Sequence, residues 1–137
     1  MKVFFHEVPI TTSRRIQLID ITHHVEEAVR RSGIANGVCI VFAPHATAAI
    51  VVNEHEEGLM HDIASKIEEI IEPERSWRHN IIDDNAHAHI GSAIIGSERI
   101  FPVRNGRIIR GTWQNIFLVE LDGPRRDRNV VVEVLGE

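Results

Sequence analysis

The chain has 137 residues, a formal net charge of −5, nine histidines and 43% apolar side chains. That length fits a single domain over 1–137 with one core, and the negative balance argues against a general nucleic-acid binder, which needs surplus cations to displace counterions. The lone cysteine, Cys39, excludes an intrachain disulfide and suits a reducing compartment.

No segment approaches the length of a membrane span. The apolar stretch in Met1–Glu7 is too short and too acidic for a secretory signal, so a cytoplasmic protein without membrane contact is expected.

In chain order, Val3 to Val8 and Arg14 to Ile19 read as short strands with a turn over Pro9 to Ser13. Asp20-Ile21-Thr22 offers helix-start chemistry, Ile21, Val25, Ala28 and Val29 recur at helical spacing, and Gly33 stops that helix. Gly37 to Ala43 and Ala48 to Val52 are apolar runs of strand length, joined by Pro44-His45-Ala46-Thr47. Asn53-Glu54-His55-Glu56 has the form of a capping box before a helix with Leu59, Ile63, Ile67, Ile70 and Ile71 on one face, ended by Pro73. Glu72 to Asn85 lacks periodicity; Trp77 and the pair Ile81-Ile82 predict an ordered, packed loop there. His87 to Ile95 reads as a short helix ended by Gly96. Ser97 to Val103 and Arg107 to Ile109 read as strands joined by the hairpin signal Asn105-Gly106. Asn115 to Leu121 and Asn129 to Leu135 supply two more strands. The order predicts an α+β domain of mixed or antiparallel strands.

Several groups have the chemistry of a site. His45 follows an apolar strand, and its small neighbours Ala46, Thr47 and Ala48 leave room for a ligand; a lone histidine in such a place is as often structural. In His87-Ala88-His89 the two rings would share a side of an extended segment, whereas on the helix read here they point nearly oppositely. A set of His45, His79, His87 and His89, with a carboxylate from Glu54, Asp62 or Asp83, suits a divalent metal, with zinc or magnesium as the candidates. Glu54 and Asp62 lie about two helical turns apart, near enough to one face to share a cavity; the ordinary reading of Glu54 is a first-turn acid favoured by the helix dipole. Asp62 flanks Leu59 and Ile63, which predicts partial burial. Gly111-Thr112-Trp113-Gln114 allows close backbone approach, with Trp113 either an aromatic wall or a core residue. Arg125, Arg126 and Arg128 form either a phosphate clamp or a solvated charge run. No Gly-rich phosphate loop, nucleophile elbow or activated cysteine is present, which disfavours nucleotide hydrolysis and nucleophilic acyl transfer.

Over nearly its full length the chain resembles the YjbQ-like family, in the run His45-Ala46-Thr47-Ala48-Ala49-Ile50-Val51-Val52-Asn53-Glu54, then Asn85-Ala86-His87-Ala88-His89, and Gly111-Thr112-Trp113-Gln114-Asn115-Ile116. The Pro102 to Gly106 hairpin, the Gly123-Pro124-Arg125 turn, His79 and Asp62 agree as well. Ala46 stands where the family usually carries a hydroxyl, and His89 matches better than His87. The resemblance implies two-layer β-sandwich subunits with two to three flanking helices, assembled as a homotrimer. It also implies a secondary thiamine-phosphate synthase activity, a transferase joining a pyrimidine pyrophosphate to a thiazole phosphate. In that reading Glu54 and Asp62 lie near a metal, His45 and His89 are ligands or acid–base groups, and Arg125 binds phosphate. Thr47, Trp113 and Gln114 then contact substrate. Two other functions fit the same residues: a module that binds a metal or a small anionic metabolite without catalysis, and a metal-dependent phosphate-ester hydrolase.

Overall fold

The computed structural model describes residues 1–137 and contains two sheets whose strand pairs are all antiparallel. Strands β1 (Lys2–Ile10), β3 (Gly37–Phe42), β5 (Glu98–Arg104), β6 (Arg107–Ile108) and β8 (Arg128–Gly136) form one, in the order β1-β8-β3-β5-β6. Strands β2 (Gln17–Asp20), β4 (Ala48–Asn53) and β7 (Asn115–Glu120) form the other, in the order β2-β7-β4. Helices α1 (Thr22–Ser32), α2 (Glu57–Ile71) and α3 (Ala86–Ile95) complete the domain. This is the α+β domain of antiparallel strands that the strand and helix order predicted, with three helices within the two to three that the family resemblance implied.

Alternation dictates how the layers meet. Along β8, Val130, Val132 and Val134 are buried, and along β1 so are Val8 and Ile10. They pack with Val41, Ile50, Ile116 and Leu118 between the sheets, where α1 adds Val25, Ala28 and Val29. The second face of β7 presents Phe117, Val119 and Leu121 to a separate cluster covered by α2 and α3. The central strand β7 is therefore buried on both faces, which is why it reads as a continuous apolar run.

Three local readings are corrected, and one open alternative is resolved. Strand β2 begins at Gln17 rather than Arg14, because the Gln17 Oε1 accepts from the backbone N–H of Ser13 (2.9 Å) and Arg14 (3.3 Å) and closes a turn there. Helix α2 is capped by Glu56, whose carboxylate accepts from Gly58 N and Leu59 N, so the expected capping box on Asn53 does not form. The irregular stretch holds a short 3-10 helix, Arg78–Ile81, and Ile81 and Ile82 point to solvent at 86% and 82% exposure instead of packing. Trp113 is also on the surface, 71% exposed, so it has no core role. The Asn105-Gly106 hairpin forms as read, with both residues at positive φ, 53° and 76°.

Candidate functional site

The best-organised polar group lies where the 3-10 helix meets the N-terminus of α3. Asn85 precedes α3 and, from its type, would cap it. Its side chain instead donates from Nδ2 to Asp122 Oδ2 at 2.9 Å and turns Oδ1 to His79 Nε2 at 3.1 Å. The cap is made by Asn80, whose Oδ1 accepts from Ala86 N. Since Asp122 can only accept, the amide orientation is determined, and His79 must donate from Nε2. The lone pair of His79 is therefore on Nδ1.

Asp122 is itself held by Arg125, through Nη2 to Oδ2 at 2.9 Å and Nε to the Asp122 carbonyl at 3.0 Å. Burial works to raise the Asp122 pKa, but the bonds from Asn85 and Arg125 outweigh it and hold the carboxyl below its ordinary range. Arg125, Asp122, Asn85 and His79 thus form one chain of bonds ending on an oriented imidazole.

The rings of His79 and His89 meet edge-on with centroids 4.8 Å apart. Both line a cavity of about 660 Å³ with Arg75, Trp77, Arg78 and Ser76. The Arg75 guanidinium sits over the Trp77 ring at 4.6 Å, a cation–π contact. The Trp77 indole donates to the Glu72 carbonyl at 3.0 Å, which anchors this wall. The cavity thus combines two imidazoles, two guanidiniums and an aromatic face.

His87 stands apart from this group, as its helical position predicted. It is fully buried on the other side of α3, with Nε2 accepting from Arg15 Nη2 at 3.1 Å and Nδ1 left without a partner. Burial, then the Arg15 charge, push its pKa down against weaker opposition from Asp122, Asp84 and Glu68. The sign for stability follows. A histidine held neutral in the fold binds fewer protons than the unfolded chain below its ordinary value, so its contribution is complete above about pH 6.5 and declines as pH falls below that. Denaturant titrations at stepwise lower pH are expected to show the midpoint falling below that value, with a shallower fall in His87→Leu.

His45 lies elsewhere again. Its Nε2 is 3.0 Å from both the carbonyl oxygen and the amide nitrogen of Asn129, so Nδ1 is the nitrogen left for chemistry. Burial and the Arg128 charge lower its pKa. It lines a separate cavity of about 480 Å³ with Phe42, Pro44, Ser97 and Glu98. Thr47 is buried, accepting from Arg128 at 2.8 Å. Gln114 accepts from Gly111 N at 2.7 Å and closes the loop that carries Trp113. Glu54 is half-buried, and Asp62 is exposed, contrary to its expected partial burial, because it faces away from the strip of α2 that covers the sheet. Of the four histidines read as one set, only His79 and His89 come together within the chain. No group of three or more His, Cys, Asp or Glu side chains is assembled to hold a metal ion.

Behind these cavities is a buried ion pair that sequence reasoning missed. Arg128 (4% exposed) donates from Nε and Nη2 to Glu120 (0% exposed), and Nη2 also reaches the Thr47 carbonyl at 3.0 Å. Thr12 Oγ1 donates to Glu120 at 2.7 Å and accepts from Arg125 N at 2.8 Å, which ties the pair to the Asp122 turn. The available signal was an acid, Glu120, at the end of the apolar run Ile116 to Val119.

Residues 6–137 match the family described as UPF0047 protein YjbQ-like. The chain is 45% identical over 137 residues to a UPF0047 protein of Methanothermobacter thermautotrophicus, covering 100% of this chain and 95% of that one. It is 34% identical over 131 residues to the UPF0047 protein YugU of Bacillus subtilis, covering 93% and 96%. Among solved structures, a YbjQ-like protein of unknown function from Sulfolobus solfataricus superposes with a TM-score of 0.98 at 61% identity, over 99% of each chain. A hypothetical protein from Aeropyrum pernix gives 0.92 at 47%, over 100% of each.

Proposed function

For this chain, which belongs to the UPF0047 YjbQ-like family, we propose an enzyme whose substrate is a small phosphorylated metabolite bound in the His79–His89 cavity. The observation that carries this is the bond chain from Arg125 through Asp122 and Asn85 to His79, which aligns one imidazole and leaves its Nδ1 lone pair free. Arg75 and Arg78 supply the cationic donors that phosphate oxygens prefer, and Trp77 offers a flat apolar face for a ring.

The reaction proposed is the one the family resemblance implies, the joining of a pyrimidine pyrophosphate to a thiazole phosphate with loss of pyrophosphate. Negative charge builds on the departing pyrophosphate, and Arg75 and Arg78 are positioned to stabilise it. His79 is the acid–base group, and His89 packs its ring in place. Were a divalent ion such as zinc to enter this cavity, His79 and His89 are the residues that would hold it. Bound there, the ion would supply further stabilisation of the leaving group. A cytoplasmic homotrimer is part of the proposal. In support of the assembly, Phe5 and Ile100 expose apolar area on the outer face of the larger sheet.

Titration with inorganic pyrophosphate tests the site. Arg75→Ala and Arg78→Ala are each expected to weaken binding about tenfold or more, the worth of one charge-assisted hydrogen bond; unchanged affinity in both would remove the cavity from the reading. Incubation with both substrates separates the functions. Coupled product supports the transferase, release of phosphate alone supports the metal-dependent hydrolase, and binding without turnover leaves a non-catalytic anion module.

A further inference from the structure

A second histidine is oriented by a carboxylate at the far end of β2. Asp20 accepts from His55 Nδ1 at 2.6 Å, from Thr22 N at 2.9 Å, from Thr22 Oγ1 at 2.6 Å and from Asn115 Nδ2 at 3.2 Å. Burial works to raise its pKa, and the bonds from His55 and Thr22 prevail, keeping it ionised and acceptor-only. The Nδ1 of His55 must therefore carry the proton, and the lone pair is on Nε2. The ring packs at 5.6 Å, tilted, against the buried Phe117, which removes its other orientations. Nothing in the chain bonds Nε2, and His55 is half exposed.

His55 lines a cavity of about 690 Å³ between β2 and α2. The floor is apolar, with Ile16, Leu18, Met60 and Ala64, and the charged rim is mixed, Arg14 against Glu57 and Glu68. An anion has no advantage there, in contrast to the arginine-walled cavity beside His79. An apolar body with one hydrogen-bond donor does: the floor covers the body and the oriented imidazole accepts the donor.

We propose that the groove between β2 and α2 is a second binding site, taking a neutral molecule of the phenol or indole kind whose O–H or N–H donates to His55 Nε2, with Asp20 as the positioning residue. The site shares no residue with the His79–His89 cavity and does not depend on the reaction assigned there.

Phenol and benzene are the probes, because they match in shape and differ in the donor. In NMR titrations at mildly alkaline pH, phenol is expected to shift the Met60 methyl and His55 ring signals saturably and to bind about fivefold to tenfold tighter than benzene, the worth of one neutral hydrogen bond. His55→Leu should abolish that preference while benzene still binds. Asp20→Asn presents a donor to Nδ1, so the ring nitrogen shifts should report the opposite tautomer and the preference for phenol should vanish. Equal affinity for the two probes, no saturable binding of either, or a wild-type ring protonated on Nε2 would overturn the proposal. His79→Ala should leave every one of these readings unchanged.

Discussion

Replacing Arg128 with methionine is expected to lower the free energy of unfolding by about 3–5 kcal/mol, the usual consequence of stranding one charge of a buried pair. The partner left behind is Glu120, which is wholly buried and receives its charge-stabilising bonds chiefly from Arg128 and Thr12. In the intact protein those bonds, with the backbone N–H of Asp122, hold the Glu120 carboxyl below its ordinary range even though burial acts the other way. Without Arg128 the burial effect dominates, and Glu120 must either take up a proton or draw in water. Thr47 also loses the donor to its hydroxyl and carbonyl. Thermal and urea unfolding would read the loss directly, as a fall in Tm of roughly 10 °C or more. The double variant Arg128→Met/Glu120→Gln is expected to recover part of it, since a neutral amide is far less costly to bury than an unpaired charge. Equal stability of the single and double variants would show that the pair is not coupled.

Gly123→Ala is expected to cost about 1–3 kcal/mol, the range for forcing extra volume into a packed site, and to loosen the His79 cavity as well. A Cβ at this position would lie 2.0 Å from the Arg14 carbonyl oxygen and 2.8 Å from the Glu120 side chain. The first obstacle is backbone and cannot rotate away. The facing loop cannot retreat freely either, being tied by Gly123 N to Arg15 O at 3.0 Å and by Thr12 N to Arg125 O at 2.7 Å. The strain therefore passes to the turn that presents Asp122 and Arg125. Since those residues orient Asn85, and Asn85 orients His79, formation of the coupled product should fall together with stability. A drop in stability with unaltered product formation would show that the turn does not control the site.

The two cavities illustrate what a linear reading reaches. His79 and His89 were legible as candidates, and the helical spacing of His87 and His89 already separated their side chains. Their partners were not. By its nearest neighbours in sequence Asn85 has the type of a helix cap and Asp122 of a turn residue, and Arg125 was read as a phosphate ligand or one of a solvated run rather than as the partner of Asp122. Only the return of the chain past β7 brings Asp122 within 2.9 Å of Asn85, across 37 positions. Asp20 and His55 are likewise 35 positions apart and unremarkable locally. The Ile81-Ile82 pair was misjudged for the opposite reason: apolar type predicts burial, but a surface still has to be made of something, and exposed apolar residues are common.

Side-chain pattern alone determined the elements. Alternation made β1 and β8, an unbroken apolar run made the doubly covered β7, 3.6-residue spacing made α1 and α2, and Asn105-Gly106 made the hairpin, because each depends on which faces of a short segment can leave water. Those same local rules say nothing about which polar groups meet. That was decided by the tertiary structure, where burying Glu120 and Arg128 demands that they pair, and where enclosing Asp122 demands donors from Asn85 and Arg125. The physical reason is that the cost of an unpaired polar group arises only once water has been excluded, and exclusion is a property of the assembled layers rather than of any segment.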